Sequence, residues 1–586
     1  MKCSQCFVFI LSIIILCFVL QVENKKIFKI NTSGDTSVLI PPHLVELAGR
    51  LKYITPKKDA DAGCKICENA VDGIIALRRS NATRDVMIDY LNHICVLFTS
   101  WGIEGCTGRV NIETDTILYI IDHRQDLTAA RFCAIYFQNY GCEDPNADSW
   151  SIPLPPVPTT RTQRKHQTDT GNIQILQITD VHLDPLYSPG SNSKCSEPLC
   201  CESGTPANAE DAAGYWGDYA VCDMPWHTID NMMDQIKKNH EDIDFIYFTG
   251  DIVSHRTYAT TVQGNQETIK LLFELLERTF PDKTVYPILG NHEPHPGDFY
   301  SPHDVPTSSN VSTQWLLDLV ADEWSRWLPN AAQTTIKQGG FYTVLVKPGF
   351  RIIALNSNVC FTSNLWLIYA NIDTFGQLQW LVGVLTEAEN NGEKVHILSH
   401  VPSGDDVSSC VKIWSREFKK IVLRFSNTIT AQFNGHTHMD QFVLFLNESD
   451  EVQSVAYNGA SFATFIGSNP NYRIYDLDNS NFTVTDYSEY TFNLTEANIN
   501  AESSPNWYKL YSFKDAYGLP DLTPKSLGNL YTQMASNNSD NALVDKYFRY
   551  VYRDSDVYIK EGCDQKCKKK LVCLLVASES SQSMVC

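Results

Sequence analysis

From Asn172 onward, short apolar runs that each end in polar residues alternate with stretches of helical periodicity. This alternation is typical of layered α/β architecture, in which buried strands lie between helices. Past about residue 490 the strand signals fade, and the pattern from Leu527 to Phe548 predicts a helical tail. We therefore expect an α/β domain over residues 171–490 and a helical, disulfide-closed region over residues 491–586.

The region before residue 147 has a different pattern. It contains six cysteines, and the segments between them have the periodicity of amphipathic helices. Six cysteines allow fifteen connectivities, and their spacing alone does not choose among them. The pattern predicts an all-α unit over residues 60–146 that is stapled by disulfides. The positions expected on one helix face are Met87, Leu91, Ile94, Cys95 and Phe98.

Clustered prolines follow this unit in the segment from Ile152 to Pro158, and a polar stretch continues to Thr170. Clustered prolines favour extended polyproline geometry. We therefore expect a semi-rigid linker over residues 147–170 between the helical unit and the α/β domain.

The first residues have the order of a secretory signal peptide: Lys2, an apolar stretch from Phe7 to Leu20, then polar residues. The alternative is a membrane anchor, but an apolar stretch of about 14 residues is shorter than the roughly 20 that span a bilayer. Cleavage of residues 1–22 would remove three of the 19 cysteines and leave 16, an even number that suits an oxidising compartment.

Seven Asn-x-Ser/Thr sequons agree with passage through the secretory pathway. They lie at Asn31, Asn81, Asn310, Asn447, Asn481, Asn493 and Asn537. The chain carries 47 basic and 68 acidic side chains, a formal net charge of -21. This acidic balance argues against nucleic acid as a partner, because affinity for nucleic acid depends on neutralising its phosphates with Lys and Arg.

Candidate chemistry lies where five predicted strands end. In α/β folds, ligands bind at such carboxyl ends. Two divalent ions about 3.5 to 4 Å apart need several nitrogen and oxygen ligands and one bridging carboxylate, and glycines let the backbone turn sharply enough to aim them. The loops contain Asp180-Val-His182, Gly250-Asp251, Gly290-Asn-His-Glu293, His400, and Gly435-His-Thr-His438.

This ordered set resembles the calcineurin-like metallophosphoesterase superfamily over roughly residues 172–440. The resemblance implies a layered metallophosphoesterase β-sandwich flanked by helices. It also implies two metal ions bridged by Asp251. The first ion would take Asp180, His182, Asp251 and His438, and the second would take Asp251, Asn291, His400 and His436.

The resemblance also bears on which metal is bound. Purple acid phosphatases of this superfamily place a tyrosine, which gives a ferric phenolate, where this chain has Ser254. Two Zn²⁺ ions are therefore favoured, and Mn or Fe are the alternatives that the same ligand types allow.

The six-cysteine unit resembles a saposin B-type domain, a family that solubilises or perturbs membrane lipids. The resemblance implies peripheral membrane contact through this unit. It also implies that Cys64 pairs with Cys142, Cys67 with Cys133, and Cys95 with Cys106. The alternative is a stapled helical bundle that has no lipid role.

A saposin-type unit, a proline linker and a metallophosphoesterase occur together in the acid sphingomyelinase family. Further residues carry this resemblance, in the segments 195–201, 214–217, 364–366 and 376–381. The family implies hydrolysis of sphingomyelin, in membranes or lipoproteins, to ceramide and phosphocholine by a secreted and/or lysosomal enzyme, which we expect to be a monomer. The remaining implied disulfides are Cys195–Cys200, Cys201–Cys222, Cys360–Cys410, Cys563–Cys567 and Cys573–Cys586.

The same resemblance places two histidines against the phosphate. His255 would act as general acid, and His292 would stabilise the phosphate and help to protonate the leaving group. A reference pKa of about 6.5 predicts that both are mostly protonated near pH 5. The alternative for His255 is a supporting or surface histidine. Tyr472 would contact the substrate by family analogy, or would be an ordinary packed tyrosine.

Two other functional classes remain open. The first is a phosphohydrolase that acts on nucleotides or other soluble esters, which would keep its activity without residues 60–146. The second is a lipid-transfer protein or pseudoenzyme, which the complete set of expected metal ligands disfavours.

Overall fold

The computed structural model describes residues 60–99, 101–138, 141–145, 147, 149–158, 171–404, 410–536 and 542–580. Two compact units are present. The first contains the described part of Met1–Asp148 with Ser196–Pro198 and Leu365–Asn371, and the second contains the other described residues. The predicted signal peptide, the polar half of the predicted linker, Asn31, Asn537 and Cys586 lie outside the described residues. Within the described ranges, no helix is long and apolar enough to cross a membrane.

The first unit is helical, as the sequence predicts. Met87, Leu91, Ile94 and Cys95 are all at most 1% exposed, so they form the buried face of the second helix. Thr83 and Thr128 cap two of the helices, each accepting a hydrogen bond from a backbone N–H of the first turn. The helices are α1 (Ala60–Arg79), α2 (Arg84–Phe98), α3 (Gly102–His123) and α4 (Ala129–Tyr136).

Disulfides staple this unit. Cys64 is joined to Cys142, Cys67 to Cys133, and Cys95 to Cys106. These are the pairs that the saposin resemblance implies. Because the first two close long loops, they remove much of the conformational freedom of the unfolded chain.

The second unit is built on two six-stranded mixed sheets. One has the strand order β12-β11-β10-β1-β2-β3, and the other has the order β4-β5-β6-β7-β9-β8. The strands are β1 (Asn172–Ile178), β2 (Phe245–Phe248), β3 (Thr284–Pro287), β4 (Tyr342–Lys347), β5 (Phe350–Ala354), β6 (Lys394–Leu398), β7 (Ile429–Asn434), β8 (Gln441–Leu446), β9 (Val452–Asn458), β10 (Asn471–Asp478), β11 (Val484–Thr491) and β12 (Tyr508–Ser512).

Aromatic rings from the two sheets meet in the core of this unit. The Tyr247 ring on β2 lies 5.0 Å from Phe433 on β7, which lies 4.9 Å from Tyr475 on β10. One polar group interrupts this apolar layer: His396 on β6 is fully buried, and its Nδ1 lies 2.8 Å from the Tyr247 hydroxyl. The predicted layered α/β sandwich is therefore confirmed.

Helices cover the sandwich and extend it. They are α5 (Trp226–Asn239), α6 (Val262–Thr279), α7 (Gln314–Glu323), α8 (Gln333–Gly339), α10 (Gln377–Asn391), α11 (Lys412–Arg424), α12 (Leu494–Ile499), α13 (Phe513–Tyr517), α14 (Pro524–Ala535), α15 (Ala542–Val551), α16 (Asp556–Glu561) and α17 (Gln565–Leu574), while α9 (Trp366–Tyr369) belongs to the first unit.

The region after residue 490 departs from the prediction in one respect. It is mostly helical, but β12 lies within it and pairs antiparallel with β11. β12 is short and forms the outer edge of its sheet, so the alternating Tyr508-Lys-Leu-Tyr511 gives only a weak strand signal. Cys563 and Cys567 are joined, as expected.

The described part of the proline segment is anchored on α11. Glu417 accepts hydrogen bonds from Ser151 Oγ and from the backbone N–H of Ile152, both at 3.0 Å. Arg424 donates to the carbonyl oxygens of Pro155 and Pro156 at 2.7 and 2.8 Å. The prolines therefore lie along this helix as an extended segment.

The described sequons are all on the surface. Asn81 and Asn310 are exposed, and Asn447, Asn481 and Asn493 are partly exposed.

The second unit contains further disulfides. Cys195–Cys200, Cys201–Cys222 and Cys360–Cys410 are joined, again as the resemblance implies.

Candidate dimetal site

Five parallel strands from the two sheets deliver the candidate ligands to one edge. β1 pairs parallel with β2, and β2 with β3, while β6 pairs parallel with β7. Parallel strands end at the same edge, so the loops that follow them meet there. The loops after these five strands carry Asp180, His182, Asp251, Asn291, His400, His436 and His438.

Four of these residues form the first group of donors. His182 Nε2 lies 3.1 Å from His438 Nε2, 3.6 Å from Asp251 Oδ2 and 3.9 Å from Asp180 Oδ1. His438 Nε2 lies 3.5 Å from the same Asp180 oxygen. The structure thus brings together the set that the sequence assigns to the first metal.

The second group of donors shares Asp251 with the first. His400 Nε2 lies 3.1 Å from Asp251 Oδ2 and 3.0 Å from Asn291 Oδ1. His436 Nδ1 lies 2.8 Å from the same Asn291 oxygen. Because Asp251 Oδ2 is near both His182 and His400, Asp251 lies between the two groups, where a bridging carboxylate would be.

The imidazole tautomers show that this site suits cations. His182 Nδ1 lies 2.8 Å from the carbonyl oxygen of Val253, and His438 Nδ1 lies 2.7 Å from that of Phe465. A carbonyl oxygen can only accept, so both Nδ1 atoms carry the proton and both neutral rings turn an Nε2 lone pair inward. Two lone pairs facing each other at 3.1 Å repel, and a cation bound between them removes that repulsion.

His400 follows the same rule. Its Nδ1 lies 2.7 Å from the carbonyl oxygen of Thr249, so its Nε2 lone pair faces the oxygens of Asp251 and Asn291. Metal-ligating histidines commonly donate their other ring N–H in this way, which fixes the ring orientation. The residues present therefore fit two divalent ions, one in each donor group.

Burial sets the electrostatics of the site. Desolvation raises the pKa of Asp180 to about 7 and raises that of Asp251 well above its usual range. It lowers the pKa values of His182 and His438 well below theirs. All four shifts disfavour the charged form in a dry site, whereas a divalent cation stabilises carboxylates and neutral imidazoles.

The backbone at the site is unusual. Five of the seven candidate ligands have φ between 43° and 70°: Asp180, His182, Asp251, His436 and His438. Such values are uncommon for residues other than glycine and gather at functional sites. Two glycines make room for these turns, because a Cβ on Gly290 would collide with Asp251 Oδ1 and one on Gly435 would collide with Thr179 Oγ1.

Sequence reasoning missed two buried residues that hold the ligands. Asp298 accepts a hydrogen bond from Asn291 Nδ2 at 2.7 Å, which turns the Asn291 amide oxygen towards His400 and His436. Arg553 donates from Nη1 to the carbonyl oxygen of His438 at 2.6 Å. Neither residue lies in a motif: Asp298 comes 7 residues after Asn291, and Arg553 is 115 residues from His438.

His255 and His292 lie against the donor groups, as expected. The His255 ring centroid is 4.0 Å from that of His182 and 4.5 Å from that of His292. Asp223, which directly follows Cys222, accepts hydrogen bonds from the backbone N–H of His255 at 2.5 Å and from its Nδ1 at 2.8 Å. The sequence analysis does not identify this residue. Phe465 stacks on the His255 ring, with a centroid separation of 3.8 Å.

These two histidines do not have the reference pKa that the sequence analysis assumes for them. Burial lowers the pKa of His255 to about 3 and that of His292 well below its usual value. Burial also raises the pKa of Asp223, the partner of His255, well above the usual range. Protonation of His255 at acidic pH would therefore depend on an ion pair with Asp223 and on the negative charge of a bound phosphate.

Tyr472 lies on β10, and its ring is 1% exposed. Its hydroxyl is 3.0 Å from His240 Nε2, and its ring stacks on Tyr490 with a centroid separation of 5.0 Å. A substrate contact through this hydroxyl would have to displace the bond to His240.

Comparison with known proteins agrees with this architecture. Residues 173–440 match the calcineurin-like phosphoesterase family, and residues 452–586 match the acid sphingomyelin phosphodiesterase C-terminal region. The fold and the paired donor groups define a metallophosphoesterase, a hydrolase with a divalent metal site.

Relatives extend over most of the chain. It is 33% identical to a sphingomyelin phosphodiesterase from Bos taurus over 89% of this chain and 83% of that protein. It is 31% identical to sphingomyelin phosphodiesterase 2 from Caenorhabditis elegans over 95% of this chain and 93% of that protein. A cyclic GMP-AMP phosphodiesterase from Mus musculus is 32% identical over 70% of this chain and 90% of that protein. The chain belongs to the sphingomyelin phosphodiesterase family.

Proposed function

We propose that this protein hydrolyses sphingomyelin to ceramide and phosphocholine with two Zn²⁺ ions. The observation that carries the proposal is the pair of donor groups that share Asp251, with imidazole lone pairs turned inward. The substrate is supported by the relatives named sphingomyelin phosphodiesterase, which match 89% and 95% of this chain. Zinc is supported by the four imidazoles among the donors.

Two ions bound here would neutralise the phosphodiester and supply Lewis acidity to the displacement at phosphorus. The first would be held by Asp180, His182, Asp251 and His438, and the second by Asp251, Asn291, His400 and His436. The residues Asp298 and Arg553 would keep these ligands aimed, through Asn291 and through the backbone of His438.

The proton transfer is assigned to His255. Hydrolysis breaks the bond between phosphorus and the ceramide oxygen, and the departing oxygen needs a proton. His255 Nδ1 donates to Asp223, so its Nε2 is the atom that can deliver this proton. Asp223 would stabilise the imidazolium before transfer. His292, whose backbone N–H donates to Asp251 Oδ1 at 2.9 Å, would stabilise the phosphate from the other side.

The six-cysteine unit is proposed to contact membranes in the manner of a saposin domain. Val86, Val96 and Ile103 on its helices are 46%, 46% and 75% exposed, although they are large apolar residues. Side chains of this kind favour an apolar phase such as a lipid surface. We further propose a monomeric, glycosylated protein that is secreted and/or lysosomal, a location supported by the signal-like N-terminus and the disulfides.

Phosphocholine release from sphingomyelin vesicles at acidic pH tests the substrate. We expect hydrolysis that a chelator abolishes and that falls sharply when residues 60–146 are deleted. A second candidate, a nucleotide phosphodiesterase, is favoured by the cyclic GMP-AMP phosphodiesterase relative. If the full chain and the protein that lacks residues 60–146 cleave a cyclic dinucleotide equally and leave sphingomyelin intact, the metal site stands and the lipid substrate is wrong.

A further inference from the structure

Four charged side chains form a buried cluster beside the first donor group. They are Asp440, Arg473, Glu489 and Arg553, and each is at most 2% exposed. Arg473 donates to both carboxylates: its Nη2 lies 2.5 Å from Asp440 Oδ1, and its Nε contacts Glu489 Oε1. Burying such charges costs desolvation energy, and apolar residues of similar volume often stabilise a core as well or better. Stability alone therefore does not explain why the chain carries four charges here.

Asp440 is the member of the cluster that is closest in sequence to a candidate ligand. It follows His438 by two residues and directly precedes β8. His438 has a φ of 58°, a conformation that is uncommon for a residue with a side chain and that persists where the surrounding structure holds it. The Asp440 N–H donates to the carbonyl oxygen of Val551 at 3.3 Å, and Arg553 donates to that of His438. The backbone from His438 to Asp440 is therefore fixed against the end of α15.

The Asp440 carboxylate fixes the same turn through its side chain. Besides the bond from Arg473 on β10, it accepts a hydrogen bond from the Tyr511 hydroxyl on β12, and the Tyr487 hydroxyl on β11 lies 3.5 Å from Oδ1. The Arg473 guanidinium lies over the Tyr487 ring, 4.4 Å from its centroid, so these partners also pack on each other. Because they come from three adjacent strands, a shift of Asp440 would break contacts with all three.

These partners all lie in the C-terminal region of the chain. Residues 173–440 match the phosphoesterase family, so Asp440 is the last residue of that match. Its side-chain partners on β10, β11 and β12 lie within residues 452–586. Asp440 is therefore the point at which the C-terminal region holds the turn that carries His438.

The cluster also balances charge beside the first donor group. The positive charge of Arg553 interacts with the carboxylate of Asp180, and an uncompensated guanidinium there would repel a divalent ion. Burial raises the pKa of Asp440 above its usual range and that of Glu489 to about 7, while the Arg473 guanidinium opposes both shifts. Above pH 7 the two carboxylates therefore offset the two guanidiniums.

We propose that Asp440 is a positioning residue for the first metal ion: with its partners in the C-terminal region, it holds His438 in the conformation that turns the imidazole towards His182. The inference rests on the proposed function and deepens it, because it assigns the C-terminal region a role in binding the first ion. The second donor group is held by other contacts, such as those of Asp298 with Asn291 and of Thr249 with His400.

Zn²⁺ titration of the metal-free full chain by calorimetry tests this proposal without any substrate. It is done near pH 7.5, above the pKa of Glu489. His182→Ala and His400→Ala identify the binding steps of the first and second ions. The test variant Asp440→Asn keeps the side-chain volume and removes the charge.

Glu393→Gln is the matched control, since it makes the same change from carboxylate to amide in another ion pair of the same unit. Glu393 is 5% exposed and lies 2.6 Å from Arg351 Nε. It precedes β6, whose other end leads to His400, so it is remote from the first donor group. The control therefore reports what the loss of a buried ion pair does by itself.

Asp440→Asn should weaken the first binding step about 10- to 100-fold, the usual effect of removing a group that supports a metal ligand. The second step should not change, and Glu393→Gln should leave both steps unchanged. Tyr511→Phe removes one hydroxyl contact to Asp440 and keeps the test decisive if Asp440→Asn does not fold. It should weaken the same step by about three- to tenfold.

Three results would overturn the inference about Asp440. They are an unchanged first step in Asp440→Asn or Tyr511→Phe, equal weakening of both steps in these variants, and the same loss in Glu393→Gln. If the unmodified chain binds no ion at all, the proposed function is overturned and this inference falls with it. The unmodified chain thus reports on the proposed function, and the variants report on the role of Asp440.

Discussion

Asp223→Asn is the substitution that most sharply separates proton transfer from metal binding in this site. Asp223 is fully buried and accepts two hydrogen bonds from His255, one from the backbone N–H at 2.5 Å and one from Nδ1 at 2.8 Å. An asparagine keeps the volume and can still accept one of them. It turns an N–H₂ group towards the other, so His255 can no longer hold an imidazolium with Nδ1–H donated to a carboxylate.

The expected loss follows from these contacts. A buried hydrogen bond to a charged group is worth about 1.5 to 3 kcal/mol, which corresponds to roughly 10- to 150-fold. Loss of the imidazolium form also removes general acid catalysis, typically about 10²- to 10⁴-fold. We therefore expect kcat for sphingomyelin to fall by about 10²- to 10³-fold, with the metal content unchanged.

The assay compares two leaving groups. Sphingomyelin releases an alkoxide that needs a proton, whereas p-nitrophenyl phosphocholine releases a phenolate that does not. Asp223→Asn should slow the first substrate strongly and the second by less than about tenfold. Asp218→Asn is the matched control, since Asp218 accepts from Gly214 and Ala220 in the same loop. Equal losses on both substrates would refute the assignment of His255 as the proton donor.

Two further predictions concern buried groups. Asp298→Ala frees the Asn291 amide to rotate, so the second metal should bind about 10- to 100-fold more weakly; metal titration measures this, and unchanged affinity would contradict it. His396 makes stability depend on pH. Burial lowers its pKa in the folded protein to about 4, whereas its pKa in the unfolded chain is about 6.5, so between these values only the unfolded chain takes up the proton. Stability therefore falls as pH falls, and His396→Gln should reduce the difference between urea unfolding at pH 7 and pH 5 by about 2 kcal/mol. The same pH dependence in both proteins would rule this out.

The candidate metal ligands could be found from the sequence because they lie in loops that follow buried strands and because their order resembles that of a known superfamily. The runs that end at Ile178 and Phe248 are local patterns, and parallel pairing then brings Asp180 and Asp251 together. The supporting residues have no such pattern. Asp223 reaches His255 across 32 residues and Arg553 reaches His438 across 115, and only the packed chain brings these pairs into contact.

Burial explains the other differences. The reference pKa of histidine describes a hydrated ring, but His255 lies beneath Phe465 and beside His182, where water is excluded. β12 is an edge strand held by a single neighbour, so its residues are half exposed and its sequence pattern is weak.

Metal content and activity, measured together on the same samples, test whether hydrolysis depends on the two donor groups. We expect two divalent ions per chain in the purified protein, and loss of hydrolysis in step with their removal by a chelator. Asp251→Asn should lose both ions and all activity, because Asp251 belongs to both donor groups. Full phosphodiesterase activity in a metal-free protein, or in Asp251→Asn, would show that hydrolysis does not depend on this site.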